Sequence, residues 1–116
     1  MKLKDRLTIK ANDDNIRELV KGKTDEDLTY IDTTNVTNMF GLFYKSKFNG
    51  DISLWNTSNV TNMSGMFFIS KFNGDISHWN TSRVRDMSYM FGFSKFNQDI
   101  SQWDVSQVND MKYMFT

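Results

Sequence analysis

The chain of 116 residues balances 14 Lys and Arg against 14 Asp and Glu, so it lacks the basic footprint of a nucleic-acid binder or a polybasic membrane anchor. It has no cysteine, which excludes a disulfide framework, a thiol nucleophile and a zinc–cysteine site. Its single histidine, His78, leaves little for general-base chemistry, and we expect neither an enzyme nor a cofactor.

The N-terminal segment, residues 1–23, is rich in charge and is predicted to cap the rest of the chain. Residues 1–27 hold 14 of the charged side chains, half of the total. No apolar run anywhere approaches the ~18 residues of a membrane span, and we expect neither a signal peptide nor a membrane-spanning segment. Asp13 and Asp14 come first in one stretch of this segment, Lys21 comes late and Gly22 follows. This order predicts a helix near 13–21, which covers the open end of the first repeat.

The remainder of the chain repeats with a period of 24 residues. The motif Phe-Asn-Gly-Asp-Ile-Ser begins at Phe48 and Phe72 and returns with one substitution at Phe96. Residues 48–71 and 72–95 are identical at 17 of 24 positions. A fixed period without insertions indicates units that stack and bury a common apolar face. The four predicted repeats are 24–47, 48–71, 72–95 and 96–116.

Each repeat combines a strand-like and a helix-like pattern. Ile52 alternates with polar neighbours, as in a short strand, whereas the apolar residues from Val60 to Phe67 recur at steps typical of one helix face. The pattern predicts an α/β fold, a short right-handed leucine-rich-repeat-like solenoid with an N-terminal helical cap, and an all-β solenoid is the alternative. The predicted structural ladders of the core are Phe48, Phe72 and Phe96; Ile52, Ile76 and Ile100; Trp55, Trp79 and Trp103; and Met63, Met87 and Met111.

The whole motif, Phe-Asn-Gly-Asp-Ile-Ser-x-Trp-Asn-Thr-Ser-x-Val-x-x-Met-x-x-Met-Phe, resembles the bacterial surface-protein repeat of about 25 residues in the BspA-like group and in mycoplasma-type lipoproteins. The resemblance covers residues 28–116 and is strongest over 48–116. It implies a leucine-rich-repeat-like solenoid on the bacterial cell surface, a role in adhesion and host-protein binding, and no catalysis. The sequence shows no lipobox cysteine or wall anchor, which leaves a cytoplasmic location open.

Positions that differ between repeats are not expected in a core of stacked, identical residues and are therefore candidate binding residues. The third repeat concentrates such differences, and several of them introduce Arg or Tyr, which are enriched at the centres of protein interfaces. The candidate binding patch consists of His78, Arg83, Arg85, Tyr89 and Tyr113.

A row of carboxylates at Asp51, Asp75 and Asp99 is the candidate for a Ca²⁺ site, because this cation prefers oxygen ligands. Asp at such positions more commonly accepts backbone N–H groups of its own turn. We therefore predict no metal site.

The function predicted from these features is non-catalytic binding of a protein or a glycan by the repeat face, with no nucleic-acid partner. The alternative is an intracellular scaffold or self-assembling interaction module. That alternative rests on the fourth repeat, which has no predicted C-terminal cap over Trp103, Met111 and Phe115. Such an uncovered end favours self-association.

Overall fold

The structure is a computed structural model that describes residues 7–116. Side-chain hydrogen bonds shape its first elements. Strand β1 (Ile9–Asn12) ends in a turn, where the Asn12 side-chain oxygen accepts the N–H of Asn15 at 3.0 Å. Helix α1 (Ile16–Val20) follows directly. It is shorter than two helical turns, and its two end residues are buried against the core.

Strand β2 (Ile31–Asn35) joins the N-terminal segment to the first repeat. It pairs with β1 in parallel, with Ile9 opposite Ile31. The Asp13 carboxylate accepts the N–H of Thr37 at 2.8 Å and its hydroxyl at 2.6 Å. Backbone and side-chain bonds together therefore hold β1 and α1 on the first repeat.

The predicted right-handed, leucine-rich-repeat-like α/β solenoid is wrong, and so is its all-β alternative. Across residues 7–116 the structure is a small compact domain with one two-stranded sheet and one five-residue helix. Apart from β2 in the first repeat, turns and isolated bridges occupy the repeats, where a strand and a helix were predicted. The predicted N-terminal helical cap is also wrong, because α1 is limited to Ile16–Val20. Residues 1–6 of that predicted segment lie outside the described residues.

Aspartate side chains explain why the strand-like pattern forms a turn. The Asp51 carboxylate accepts the N–H of Ser53 at 2.9 Å and its hydroxyl at 2.7 Å. The N–H of Trp55 then donates to the carbonyl of Ile52, three residues earlier. These local bonds compete with a strand ladder for the backbone groups and bend the chain around Ile52.

Hydrogen bonds between repeats explain why the helix-like pattern forms no helix. A helix needs each N–H to donate to the carbonyl four residues earlier. Instead, the N–H of Met63 donates to the carbonyl of Asp86 in the next repeat at 3.0 Å. The N–H of Gly65 donates likewise to Ser88 at 2.8 Å, while that of Met66 donates three residues back. The φ of +61° at Gly65 is also incompatible with a right-handed helix.

The apolar rows of the repeats lie on one another in a single core. The indole rings of Trp55, Trp79 and Trp103 stack at centroid distances of 6.5 Å. The indole N–H of Trp79 donates to the carbonyl of Ile52 at 3.1 Å, so the buried row satisfies its polar group as well. Most predicted ladder residues are buried, and those that are only partly buried or exposed are Phe96, Ile100 and Met111.

Candidate binding surface

Two residues of the predicted patch, Tyr89 and Tyr113, meet on the surface. Their ring centroids lie 5.2 Å apart, and the side chains are 44% and 55% exposed. Both residues have positive φ angles, 59° and 57°, and occupy equivalent positions of successive repeats. Their rings therefore extend outward from a turn that normally favours glycine.

The cationic residues of the predicted patch are also exposed, but they bond to the second repeat. The Arg83 guanidinium donates to the side-chain oxygen of Asn59 at 3.0 Å. The N–H of Arg85 donates to the carbonyl of Thr61 at 2.8 Å. His78 is exposed at a turn beside Asp75, whose pKa is lowered by hydrogen bonds from Ser77 and, to a smaller extent, by the proximity of the His78 side chain.

Exposed and partly exposed rings of the first three repeats line a groove of about 760 Å³. We name it the aromatic groove and define it by Phe40, Tyr44, Phe68 and Tyr89. The rings of Tyr44 and Phe68 stack at 5.8 Å, and Tyr89 meets Phe68 edge-on at 5.7 Å. Phe40 and Tyr44 remain 56% and 50% exposed, so the groove offers open ring faces to a ligand.

Differences between repeats open this groove and close one end of it. Gly41 and Gly65 line the groove with positive φ angles, and a Cβ at Gly65 would meet nothing within 4 Å. Tyr89 takes the equivalent position in the third repeat. The first two repeats therefore leave space that the third repeat fills with a ring.

Polar groups at the groove add hydrogen-bonding chemistry to the rings. Arg17 of α1 and Asp86 of the third repeat both line it. The hydroxyls of Ser64 and Ser88 also line it, and they donate to Asn62 at 2.8 Å and to Asp86 at 2.7 Å. Because their protons are used, these hydroxyl oxygens can only accept hydrogen bonds from a ligand, whereas Arg17 can only donate.

The Asp13 carboxylate holds the segment that carries Arg17. Burial raises the pKa of Asp13, but hydrogen bonds from Thr37 and Asn38 outweigh burial, and the pKa lies below its ordinary value. The charge of Arg17 acts in the same direction. An ionised carboxylate therefore fixes α1 on the first repeat at neutral pH.

A second cavity, of about 400 Å³, adjoins the aromatic groove. We name it the basic pocket and define it by Arg17, Lys21, Lys23 and Lys47. Arg17 lines both cavities, and so does Tyr44. Among the described residues, those that line the basic pocket include no carboxylate.

One carboxylate lies close to the basic pocket without lining it. The side chain of Glu26 accepts the N–H groups of Thr24 and Asp25 at 2.6 and 2.9 Å. The bond from Thr24 and, to a smaller extent, the charge of Lys23 lower the pKa of Glu26. Glu26 therefore offsets part of the charge of Lys23, as Asp13 does for Arg17, and Lys21 and Lys47 are the other cations of the pocket.

The aspartates considered for Ca²⁺ are occupied by their own turns. Asp51, Asp75 and Asp99 each accept the N–H of the serine two residues later, at 2.8–2.9 Å. The hydroxyl and the N–H of Ser77 lower the pKa of Asp75, and the N–H and the hydroxyl of Ser101 lower that of Asp99. Within residues 7–116, no group of three or more His, Cys, Asp and Glu side chains is arranged to hold a metal ion.

The residues that define the aromatic groove and the basic pocket were largely missed from the sequence. Of the groove residues only Tyr89 belongs to the predicted patch. Tyr44, Phe68 and Gly92 occupy equivalent positions of the first three repeats, so the residue type at this position changes in every repeat. This variation is the signal in the sequence that points to Tyr44 and Phe68. Arg17 lies before the repeats, so comparison between repeats could not predict that it lines the groove.

The described structure thus defines a repeat protein that carries an exposed aromatic groove beside a basic pocket. The chain belongs to the family described as Mycoplasma protein of unknown function, DUF285, whose model matches residues 14–116. No curated protein and no solved structure matches the chain. No helix in residues 7–116 is long and apolar enough to cross a membrane.

Proposed function

We propose that the chain is a non-catalytic binding module that takes its ligand in the aromatic groove. The observation that carries this proposal is the set of solvent-exposed rings, with Phe40 at 56% and Tyr44 at 50% exposure, around a concave space of about 760 Å³. Soluble proteins rarely expose contiguous apolar surface without a binding role. Aromatic side chains also supply much of the affinity at binding sites, because they bury a large area with few rotatable bonds.

The resemblance of the repeat to bacterial surface adhesion repeats supports a role in attachment, with a protein or a glycan as the ligand. Display on the cell surface is part of this proposal. Protease treatment of intact source cells, followed by mass spectrometry, tests it directly. Release of peptides from unbroken cells is the expected result, and protection until lysis would refute surface display.

The binding role of the groove is tested by substitutions that leave the core alone. We expect Phe40→Ala combined with Tyr44→Ala to lower affinity at least about tenfold for ligands found on a panel of glycans and matrix proteins. Phe115→Ala is the matched control, because Phe115 is an exposed ring (66%) outside the groove. Equal affinity of the double variant and the control for every ligand would refute the proposal.

Self-assembly is a second candidate, favoured by the surface of the fourth repeat. Phe115 and Met111 are 66% and 42% exposed there, whereas Phe67 and Met63 in the equivalent positions are fully buried. A second molecule that covered this surface would remove apolar area from water. Light scattering tests this candidate, since Phe115→Lys should then shift an oligomer to monomer, and a monomeric parent protein at high concentration would refute it.

A further inference from the structure

The charges of the described chain are unevenly distributed around the groove. The sequence of 116 residues has a formal net charge of zero, yet the basic pocket gathers Arg17, Lys21, Lys23 and Lys47 around about 400 Å³. Two carboxylates outside the lining offset part of this charge, Glu26 that of Lys23 and Asp13 that of Arg17. Four cations around one concave space create a potential that attracts an anionic group.

The basic pocket and the aromatic groove form one continuous surface. Arg17 and Tyr44 line both, so a ligand that places an anionic group in the pocket reaches the rings of the groove without leaving the protein. A ligand that fills both sites must therefore carry negative charge at one part and a flat, partly apolar face at another.

The backbone at the groove disfavours an extended peptide as this ligand. Peptides that add to a protein as a strand need unpaired N–H and C=O groups at an edge. Here the N–H of Gly41 donates to Ser64 at 2.9 Å, and that of Gly65 donates to Ser88 at 2.8 Å. These amides of the groove are thus already bonded to the next repeat.

The polar groups of the groove favour sugar hydroxyls over acidic side chains. Asp86 lines the groove and repels carboxylates, whereas it can accept a hydrogen bond from a hydroxyl. The oxygens of Ser64 and Ser88 add further acceptors, because their protons are already donated to Asn62 and Asp86. Sugar rings also present C–H faces that can lie on the exposed faces of Phe40 and Tyr44.

We propose that the ligand of this surface is an acidic glycan, with its sulfate or carboxylate groups in the basic pocket and its sugar rings on the aromatic groove. This inference rests on the proposed function of the groove and adds the chemical class of the ligand. Arg17 contributes to both parts, since it lines both cavities and donates hydrogen bonds only.

The test is calorimetric titration of the full chain with two hexasaccharides of equal length. One is a heparin-derived, sulfated hexasaccharide, and the other is the same backbone after desulfation, N-acetylation and reduction of its carboxyl groups, which removes every negative charge. We expect the sulfated form to bind at least about tenfold more tightly at moderate salt, and this preference to shrink as salt is raised. A hexasaccharide of hyaluronan tests whether carboxylates alone suffice.

The repeat supplies matched variants for the pocket. Lys47 lines the basic pocket, whereas Lys71 and Lys95 occupy the equivalent positions of the next repeats outside it. We expect Lys47→Gln combined with Lys21→Gln to weaken binding of the sulfated hexasaccharide about tenfold. Lys71→Gln combined with Lys95→Gln removes the same charge and should change the affinity less than about twofold.

Three outcomes would overturn the inference. The first is equal binding of the sulfated and desulfated hexasaccharides, and the second is an equal loss in both pairs of lysine variants. The third is that neither the sulfated hexasaccharide nor the hyaluronan hexasaccharide binds, whereas a polyglutamate peptide binds to the parent protein and no longer binds to the variant with Lys47→Gln and Lys21→Gln. In each case the proposed binding role of the groove is tested separately, by whether Phe40→Ala combined with Tyr44→Ala lowers the affinity for the panel ligands.

Discussion

Phe67→Leu measures how much the stacked rings of the core contribute to stability. The Phe67 side chain is fully buried and packs in the centre of the aromatic core. Leucine keeps most of the apolar area but removes the ring contacts, each of which contributes about 0.5–1.5 kcal/mol beyond burial. We expect a loss of about 3 kcal/mol once the small cavity is included. The rings in contact with Phe67 are those of Phe43, Phe72, Trp79 and Phe91.

The assay is urea unfolding followed by tryptophan fluorescence, with Phe115→Leu as the matched control. Phe115 belongs to the same row as Phe67 but is 66% exposed, and its one described ring contact is with Phe91. The control should lose less than about 1 kcal/mol, whereas Phe67→Leu should lower the Tm by about 10 °C. Equal free energies of unfolding for the two variants would refute the argument that stacked rings hold the repeats together.

Three further changes test other parts of the structure. Because the pKa of Asp13 is lowered in the folded state, its carboxylate stabilises the fold above its ordinary pKa of 3.8, and this contribution is lost as the pH falls through the lower folded value. The urea midpoints of the parent and of Asp13→Ala should therefore differ at pH 7, and this difference should shrink as the pH falls below 3.8, so a constant gap would contradict the argument. Tyr89→Gly should be more stable than Tyr89→Ala by about 1 kcal/mol in urea unfolding, since both lose the ring but only alanine is strained at a φ of 59°; the reverse order would contradict the positive φ. Thr81→Val should lose about 1 kcal/mol, because it removes the buried hydroxyl that donates to the carbonyl of Asp104 at 3.0 Å, and an unchanged free energy of unfolding would show that this bond contributes nothing.

The apolar rows could be seen in the sequence, whereas the backbone that carries them could not. The apolar residues between 60 and 67 are Val60, Met63, Met66 and Phe67. Their spacing is compatible with one face of a helix and equally with a chain of tight turns. Hydrogen bonds to the next repeat decide between the two, as at Met63, whose N–H donates to Asp86. Periodicity records which side chains are buried and carries no information on where the N–H groups donate.

The binding surface was predicted only in part, for a different reason. Comparison between repeats identified Tyr89 and Tyr113 as variable and exposed, and the structure places their rings in contact. The same comparison gave equal weight to His78, which does not line the groove. Arg17 was missed because it lies in α1, outside the repeats, and reaches the groove only through the fold of the N-terminal segment.

Hydrogen bonds between repeats have a consequence for how such chains change length. The side chain of Asn49 accepts the N–H of Asn73, and that of Asn73 accepts the N–H of Asn97, each 24 residues further along. Duplication or deletion of one whole unit within this series would preserve every such pairing, because each unit presents the same donors and acceptors to the next. Gene-level gain or loss of units would then lengthen or shorten the exposed face in equal steps, while a one-residue insertion would break the register of all bonds across it.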